Sequence, residues 1–202
     1  MLVVIEGPDF AGKSTITDQL AEILEAKGIR VRRSTTCLTS GVVSEVVNRV
    51  QSRPTLVPML RSFVFHCAYL FDVLSWRDDP TVVTIQESYW WRVYAFDVVY
   101  GQWIGALYLR LLSRWRPRAD LAVYLRCGIE TRAARARNSG STDPRDLVRF
   151  TSAYCQSRRL EQELFALARK YDYWVVDSEH MPASAAAAAI GSRVLALQTA
   201  LQ

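Results

Sequence analysis

The stretch from Gly7 to Ser14, Gly-Pro-Asp-Phe-Ala-Gly-Lys-Ser, places two glycines, a lysine and a hydroxyl at the spacing G-x-x-x-x-G-K-S. That pattern suits phosphate. Gly7 and Gly12 let the backbone turn tightly, so that its N–H groups converge on phosphate oxygens at a helix N-terminus. Lys13 carries positive charge to the β- and γ-phosphates of a nucleoside triphosphate, and Ser14 offers a hydroxyl to Mg²⁺. Pro8, Asp9, Phe10, Ala11 and Thr15 complete the stretch. A second acidic candidate lies far along the chain. Glu87 ends an apolar run, and an acidic residue at the C-terminal end of a strand lies beside the phosphates of an open α/β sheet. There it can orient Mg²⁺ through water or accept a proton from an attacking hydroxyl.

These residues need elements to position them. Leu2 to Ile5 is short and β-branched, which suits a buried parallel strand. Ser14 to Lys27 repeats apolar residues at helical spacing and ends in Ala-Lys-Gly. Further strands are expected at IRVRRSTT (29–36), TVVTIQES (81–88), DLAVYLRC (120–127) and YWVVDS (173–178), with helices between them. The predicted helices include SGVVSEVVNRV (40–50), LVPMLRSFVFHCAYLFDVLSW (56–76) and an aromatic segment running to about Trp115. A short Arg-rich helix in 128–140, a long one over 143–170 and an alanine-rich one at the end complete the set. Strands alternating with helices imply an α/β fold with a doubly wound five-stranded parallel sheet. One domain over 1–202 is expected, because no linker or repeat interrupts the chain.

Composition narrows the classes. Half of the residues are hydrophobic and the net charge is +5. No run is long enough to span a membrane, and the first residues lack the basic start of a signal peptide, so a cytoplasmic protein is expected. Cys37, Cys67, Cys127 and Cys155 are scattered and form no CxxC pair, which points to thiols rather than zinc ligands. Nearly all basicity is arginine, since lysine occurs only at 13, 27 and 170. With no basic tail or aromatic–basic stripe, nucleic acid is disfavoured as a partner.

The segments IEGPDFAGKST, PRADLAVYLRCGIETRAARAR and WVVDS together resemble the thymidylate kinase family of P-loop nucleoside and nucleotide kinases over most of the chain. The resemblance implies the P-loop NTPase fold, ATP with Mg²⁺, a small-molecule acceptor and a homodimer. It also implies roles for particular residues. Asp9 resembles the aspartate that contacts the acceptor sugar, and Phe63 falls near the base-stacking aromatic. Phe63, Phe65, Tyr69 and Phe71 fit a core face equally well. Arg132, Arg135 and Arg137 precede the Gly/Ser-rich NSGSTDPRD, which suggests a mobile Arg-rich lid over about 132–145. Some family members carry a catalytic arginine in the P-loop and others in the lid. Position 10 is Phe, so the lid is expected to supply that charge, through Arg135 and Arg137 first, with Arg132 and Arg145 as further candidates.

The departures gather on the acceptor side. Where the family usually carries Asp-Arg-Tyr or Asp-Arg-Phe, this chain has Glu87-Ser88-Tyr89, and deoxynucleoside kinases carry Glu-Arg-Ser there. The arginine one turn after the stacking aromatic is His66 or Cys67, and the stretch after strand two is TTCLTSG. Those missing arginines grip the monophosphate of dTMP in the family. Arg92 and Arg61 are the arginines available to replace them. An acceptor site atypical for dTMP is therefore expected. A catalytically inactive nucleotide-binding partner protein and a kinase for an unrelated hydroxyl metabolite are the alternatives.

Overall fold

The computed structural model describes residues 1–35, 38, 45–46, 49–50, 58–88, 91–101, 103, 107, 117–139, 150–151 and 154–201. The first strand, β1 (Leu2–Glu6), is buried at all five positions. The side chains of Leu2 to Ile5 alternate between two separate cores, which is why those four are all apolar. Val3 and Ile5 join Ile16, Leu20 and Leu24 of α1 (Lys13–Glu25) and Ala186, Ile190 and Val194 of α6 (Ala183–Leu201). Leu2 and Val4 face the other way, toward Ala68 and Tyr69 of α2 (Pro58–Ser75), Trp91 and Ala95 of α3 (Trp91–Val99), and Leu164 and Leu167 of α5 (Tyr154–Lys170). Each such fully buried aliphatic side chain contributes about 1.5–3 kcal/mol relative to exposure.

The other strands are β2 (Arg30–Ser34), β3 (Val82–Glu87), β4 (Leu121–Arg126) and β5 (Trp174–Asp177), and α4 spans Ile129–Asn138. All described pairings are parallel, in the order β2-β3-β1-β4-β5. The doubly wound five-stranded sheet expected from the sequence is present. β1 leads outward to β2 on one side and β4 to β5 on the other, so a crevice opens at the C-terminal ends of the central strands.

Helix α1 forms because Ile16, Leu20, Ala21 and Leu24 fall on one buried face. It stops at Gly28, whose φ of +76° a side chain would resist. The N–H of Ile29 donates to Leu24 O and that of Gly28 to Glu25 O, satisfying carbonyls the helix end leaves open. On the sheet edge, β2 carries Arg30, Arg32 and Arg33, and charge on an edge discourages another chain from pairing there.

Two expected helices are shorter in the structure. The aromatic segment after β3 breaks at Tyr100 and Gly101, where Gly101 takes φ +70°, although Trp103 and Leu107 are helical again. The long helix expected from Asp143 begins, among described residues, at Tyr154. Phe150 and Thr151 lie in a turn, where the Phe150 ring meets Phe10 edge-on at 5.8 Å. The helix expected over 40–50 is described only at Glu45, Val46, Arg49 and Val50, all helical. Most of TTCLTSG, Tyr89, the stretch 140–149 and Arg145 lie outside the described residues.

Candidate active site

The loop leaves β1 under tight steric constraint. Gly7 has φ +152°, and a Cβ there would meet Leu125 O of β4 at 2.8 Å. Phe10 takes φ +62°, an outlier for a bulky residue, and Gly12 takes φ +92° directly before α1. Strained backbone of this kind persists where its surroundings over-determine it. Here Ala11 is fully buried and its N–H donates to Pro8 O at 3.3 Å. Phe10 O accepts from Arg135 Nη1 at 3.3 Å. The loop is held from both sides.

Lys13 begins α1 and folds back over the loop, its Nζ donating to Gly7 O at 2.9 Å and to Pro8 O at 2.8 Å. Burial is the largest influence on its ammonium, and the Arg92 guanidinium adds to it. Together they push the pKa down to about 8 against the pull of Asp9, Glu6 and Glu87. Next in sequence, Ser14 Oγ donates to Glu87 Oε2 at 2.8 Å. Glu87 is buried at the C-terminal end of β3, beside Ile5 in the sheet register. A hydroxyl and a carboxylate 73 residues apart in sequence thus meet next to the loop.

These oxygens fit Mg²⁺, which favours one or two carboxylates together with water and phosphate oxygens. Among the described residues no group of three His, Cys, Asp or Glu could hold an ion unaided. A divalent cation here would share its ligands with a nucleotide.

Two further cations border the loop. Arg92 of α3 is ion-paired with Asp9, and its Nη1 lies 3.5 Å from Gly7 O. Burial opposes its charge most strongly, but Asp9 and Glu6 more than offset it, so the guanidinium holds its proton more firmly than usual. Arg135 of α4 is half-buried. Besides Phe10 O it donates through Nη2 to Ser178 O at 2.7 Å, and Nη1 lies 3.5 Å from Cys127 Sγ. A Cβ on Gly12 would sit 3.6 Å from Arg135 Nη1. The other arginines of α4 go elsewhere. Arg137 is exposed. Arg132 is buried, paired with Glu161 and bonded through Nε to Cys127 O at 3.2 Å, which is a structural arrangement. Thr15 is exposed at the start of α1.

On the acceptor side the structure separates residues that the sequence left together. Tyr69 of α2 is buried and lies near enough to influence Arg92 electrostatically. Phe65 lies one turn before Tyr69, and Arg61, one turn earlier again, stacks over the Phe65 ring at 5.7 Å. Phe63, 53% exposed, lies about 200° around the helix from Phe65 and so away from that face. His66, Ser62 and Asp97 form a buried knot between α2 and α3. Asp97 Oδ2 lies 2.6 Å from His66 Nε2, and Ser62 Oγ donates to both Asp97 oxygens, at 2.8 and 2.7 Å. Sequence reasoning missed Tyr69 as a neighbour of Arg92 and Asp97 as the partner of Ser62 and His66. The four-residue spacing Arg61–Phe65–Tyr69 was the available signal.

A glycine-rich loop at the switch point of a parallel sheet, with a hydroxyl–carboxylate pair at its lysine end, defines a P-loop nucleotide-binding α/β protein. No family model matches the chain. Among curated proteins it is similar to the probable thymidylate kinase 1 of Saccharolobus solfataricus, 23% identical over 88% of both chains. It is similar also to the probable thymidylate kinase of Metallosphaera sedula, 24% identical over 87% of this chain and 83% of that one. Its fold matches thymidylate kinase from Candida albicans at a TM-score of 0.71 and 17% identity, covering 96% of this chain and 91% of that one. It matches deoxyadenosine kinase from M. mycoides at 0.64 and 16% identity, covering 98% and 100%. The chain is thymidylate kinase-like, with the P-loop kinase fold.

Proposed function

We propose that this chain is an ATP-dependent phosphotransferase that moves the γ-phosphate to a nucleoside- or nucleotide-like acceptor. The observation that carries the reading is the Gly7–Ser14 loop with Ser14 bonded to Glu87 at 2.8 Å. Lys13 and the loop N–H groups would hold the β- and γ-phosphates, and Ser14 and Glu87 would hold Mg²⁺. The ion, when bound, supplies neutralising charge to the phosphate oxygens. Arg135 stands over the loop and would release its carbonyl partners to meet charge on the transferring group, with Arg137 the second lid candidate. Glu87, fixed by Ser14, also lies where it could take a proton from the acceptor hydroxyl.

The acceptor reading is narrower. Asp9, Arg92 and Glu87 border the phosphate end, and Tyr69 of α2 lies near enough to influence Arg92, with Phe65 one turn before it. Arg92 is already paired with Asp9, position 88 is serine, and His66 is bound to Asp97. Each lost charge-assisted bond forfeits roughly 1.5–3 kcal/mol, so two losses weaken dTMP binding by about a hundredfold or more. We therefore favour a neutral, sugar-bearing acceptor over dTMP. The test compares kcat/KM for dTMP with a panel of nucleosides and modified nucleotides, with Ser14→Ala as the donor-site control. An ordinary value for dTMP overturns the acceptor reading. Full Mg²⁺-dependent turnover by Ser14→Ala overturns the donor site.

An inactive nucleotide-binding partner would share the missing acceptor arginines, but it would not need Lys13, Ser14, Glu87 and Arg135 arranged as they are. Absence of transfer to every acceptor, with ATP still bound, would favour it. No described helix is long and apolar enough to cross a membrane.

A further inference from the structure

Helix α4 has no cap of its own. Its N-cap residue is Gly128, which has no side-chain oxygen to accept a bond from the first turn. The acceptor comes from another element. Glu179, two residues past the end of β5, accepts from the N–H of Gly128 through Oε2 at 2.9 Å and from the Thr131 hydroxyl through Oε1. Gly128 and Thr131 are the N-cap and the third residue of the helix. A carboxylate from outside thus takes the place that a glutamate at the third position takes in a capping box. A Cβ on Gly128 would meet Oε2 at 2.8 Å, so a glycine is what lets the carboxylate sit there.

The same turn holds α4 a second time. Thr131 and Arg135 stand one turn apart, about 40° around the helix from each other. Arg135 Nη2 donates to Ser178 O at 2.7 Å, and Nη1 donates to Phe10 O at 3.3 Å. Ser178 and Glu179, adjacent in sequence, therefore grip α4 at two points along one face. The turn is itself fixed. Asp177 Oδ1 accepts from the N–H of Glu179 at 3.0 Å and of His180 at 3.2 Å. The N–H and Oγ of Ser178 both donate to Arg126 O, at 2.9 and 3.1 Å. The bond from Thr131, and then that from Gly128, hold the Glu179 carboxyl below the usual glutamate range, so it stays ionised at neutral pH.

Geometry makes the start of the helix a lever. From Gly128 to Arg135 the axis rises about 10.5 Å, so a tilt of about 6° carries Arg135 about 1 Å. Misplacement by that distance costs a reaction on the order of a hundredfold. Stabilising the helix dipole would not by itself call for Glu179. Glu130, exposed in the first turn of α4, already brings a negative charge to that end. What Glu179 adds is a fixed direction, because its two bonds join α4 to the turn that also receives Arg135.

We propose that Glu179 is a positioning residue, which fixes the start of α4 so that the Arg135 guanidinium stands over the Gly7–Ser14 loop. The inference rests on the role given to Arg135 above. Glu179→Ala should lower kcat by on the order of ten- to a hundredfold, with a smaller change in KM for ATP. Glu179→Gln, whose amide oxygen still accepts from Gly128, should recover most of that loss, and Glu130→Ala should leave kcat within about twofold. In an Arg135→Ala background, Glu179→Ala should cost nothing further in kcat, since the group it places is gone. Should Glu179→Ala fold poorly, Thr131→Val removes one of the two bonds and gives a milder form of the same loss. A second readout needs no turnover. Arg135 Nη1 lies 3.5 Å from the Sγ of Cys127, which is buried. With Cys37→Ser, Cys67→Ser and Cys155→Ser in place, Glu179→Ala and Arg135→Ala should each speed thiol labelling of Cys127 several-fold, and Glu130→Ala should not. Wild-type kcat in Glu179→Ala, a full further loss on top of Arg135→Ala, an equal loss in Glu130→Ala, or unchanged labelling overturns the proposal. A chain that phosphorylates no acceptor overturns the reaction instead, and labelling of Cys127 then decides the placement of Arg135 alone.

Discussion

At pH 8.5, ATP should draw a proton into the protein as it binds. The group responsible is Lys13, whose pKa is about 8 because it is partly buried and shares the loop with Arg92. A phosphate is served by the ammonium, not the amine. Phosphate itself has a second pKa near 6, so it is fully ionised above pH 8 and adds no proton of its own. With a pKa of 8, about a tenth of Lys13 is neutral at pH 7 and about three-quarters at pH 8.5. Binding that restores the charge therefore takes up about 0.8 proton at pH 8.5, and about 0.1 at pH 7. Affinity should fall by about fourfold between the two, and about tenfold by pH 9. Calorimetry in buffers of different ionisation enthalpy reads the uptake directly. Lys13→Arg, whose guanidinium does not titrate in this range, should flatten the profile. Uptake near zero in the wild type at pH 8.5, or equal uptake in Lys13→Arg, would refute the reasoning. The same depressed pKa has a consequence for the free protein. Holding Lys13 charged opposes folding below pH 8, and stability from this group rises as pH climbs from about 8 to 10.5.

Two further outcomes follow from the geometry of the loop. Arg135→Ala should lower kcat by on the order of 10²–10³-fold with a smaller change in ATP affinity; normal turnover in this variant and in the double variant with Arg137→Ala would remove catalysis from α4. Gly7→Ala forces a Cβ against Leu125 O at 2.8 Å with φ at +152°, and should cost about 1–3 kcal/mol, so thermal unfolding should fall by at least about 3 °C and an unchanged Tm would contradict the constraint.

The strand–loop–helix geometry at Gly7–Ser14 was legible in the sequence because its determinants are local. Gly7, Gly12, Lys13 and Ser14 fall within eight residues, and a strand and a helix flank them in order. Glu87 was legible because parallel strands end on the same side of a sheet. The helix breaks at Gly101 and Phe150 were not, since apolar periodicity continues through both and only a positive φ or a contact with Phe10 marks them. Helix α2 was the hardest to read. Aromatic or apolar residues stand on every side of it, so periodicity alone could not tell Phe63 from Phe65. What separates them is a buried polar knot whose partner, Asp97, lies on another helix.

The central place of β1 also sets a timetable. Its pairing partners β3 and β4 lie far downstream, Leu121 being 115 residues beyond Glu6. At a synthesis rate of about 5–20 residues per second, β1 waits roughly 6–25 s for β4 to be made. Gly7 is shaped against Leu125 and Phe10 is held by Arg135, so the loop has no template until that stretch has emerged. For that interval a mostly apolar strand and an unformed Gly7–Ser14 loop travel together on the nascent chain. Chaperones that shield apolar segments would meet this protein at the stretch proposed to hold the triphosphate.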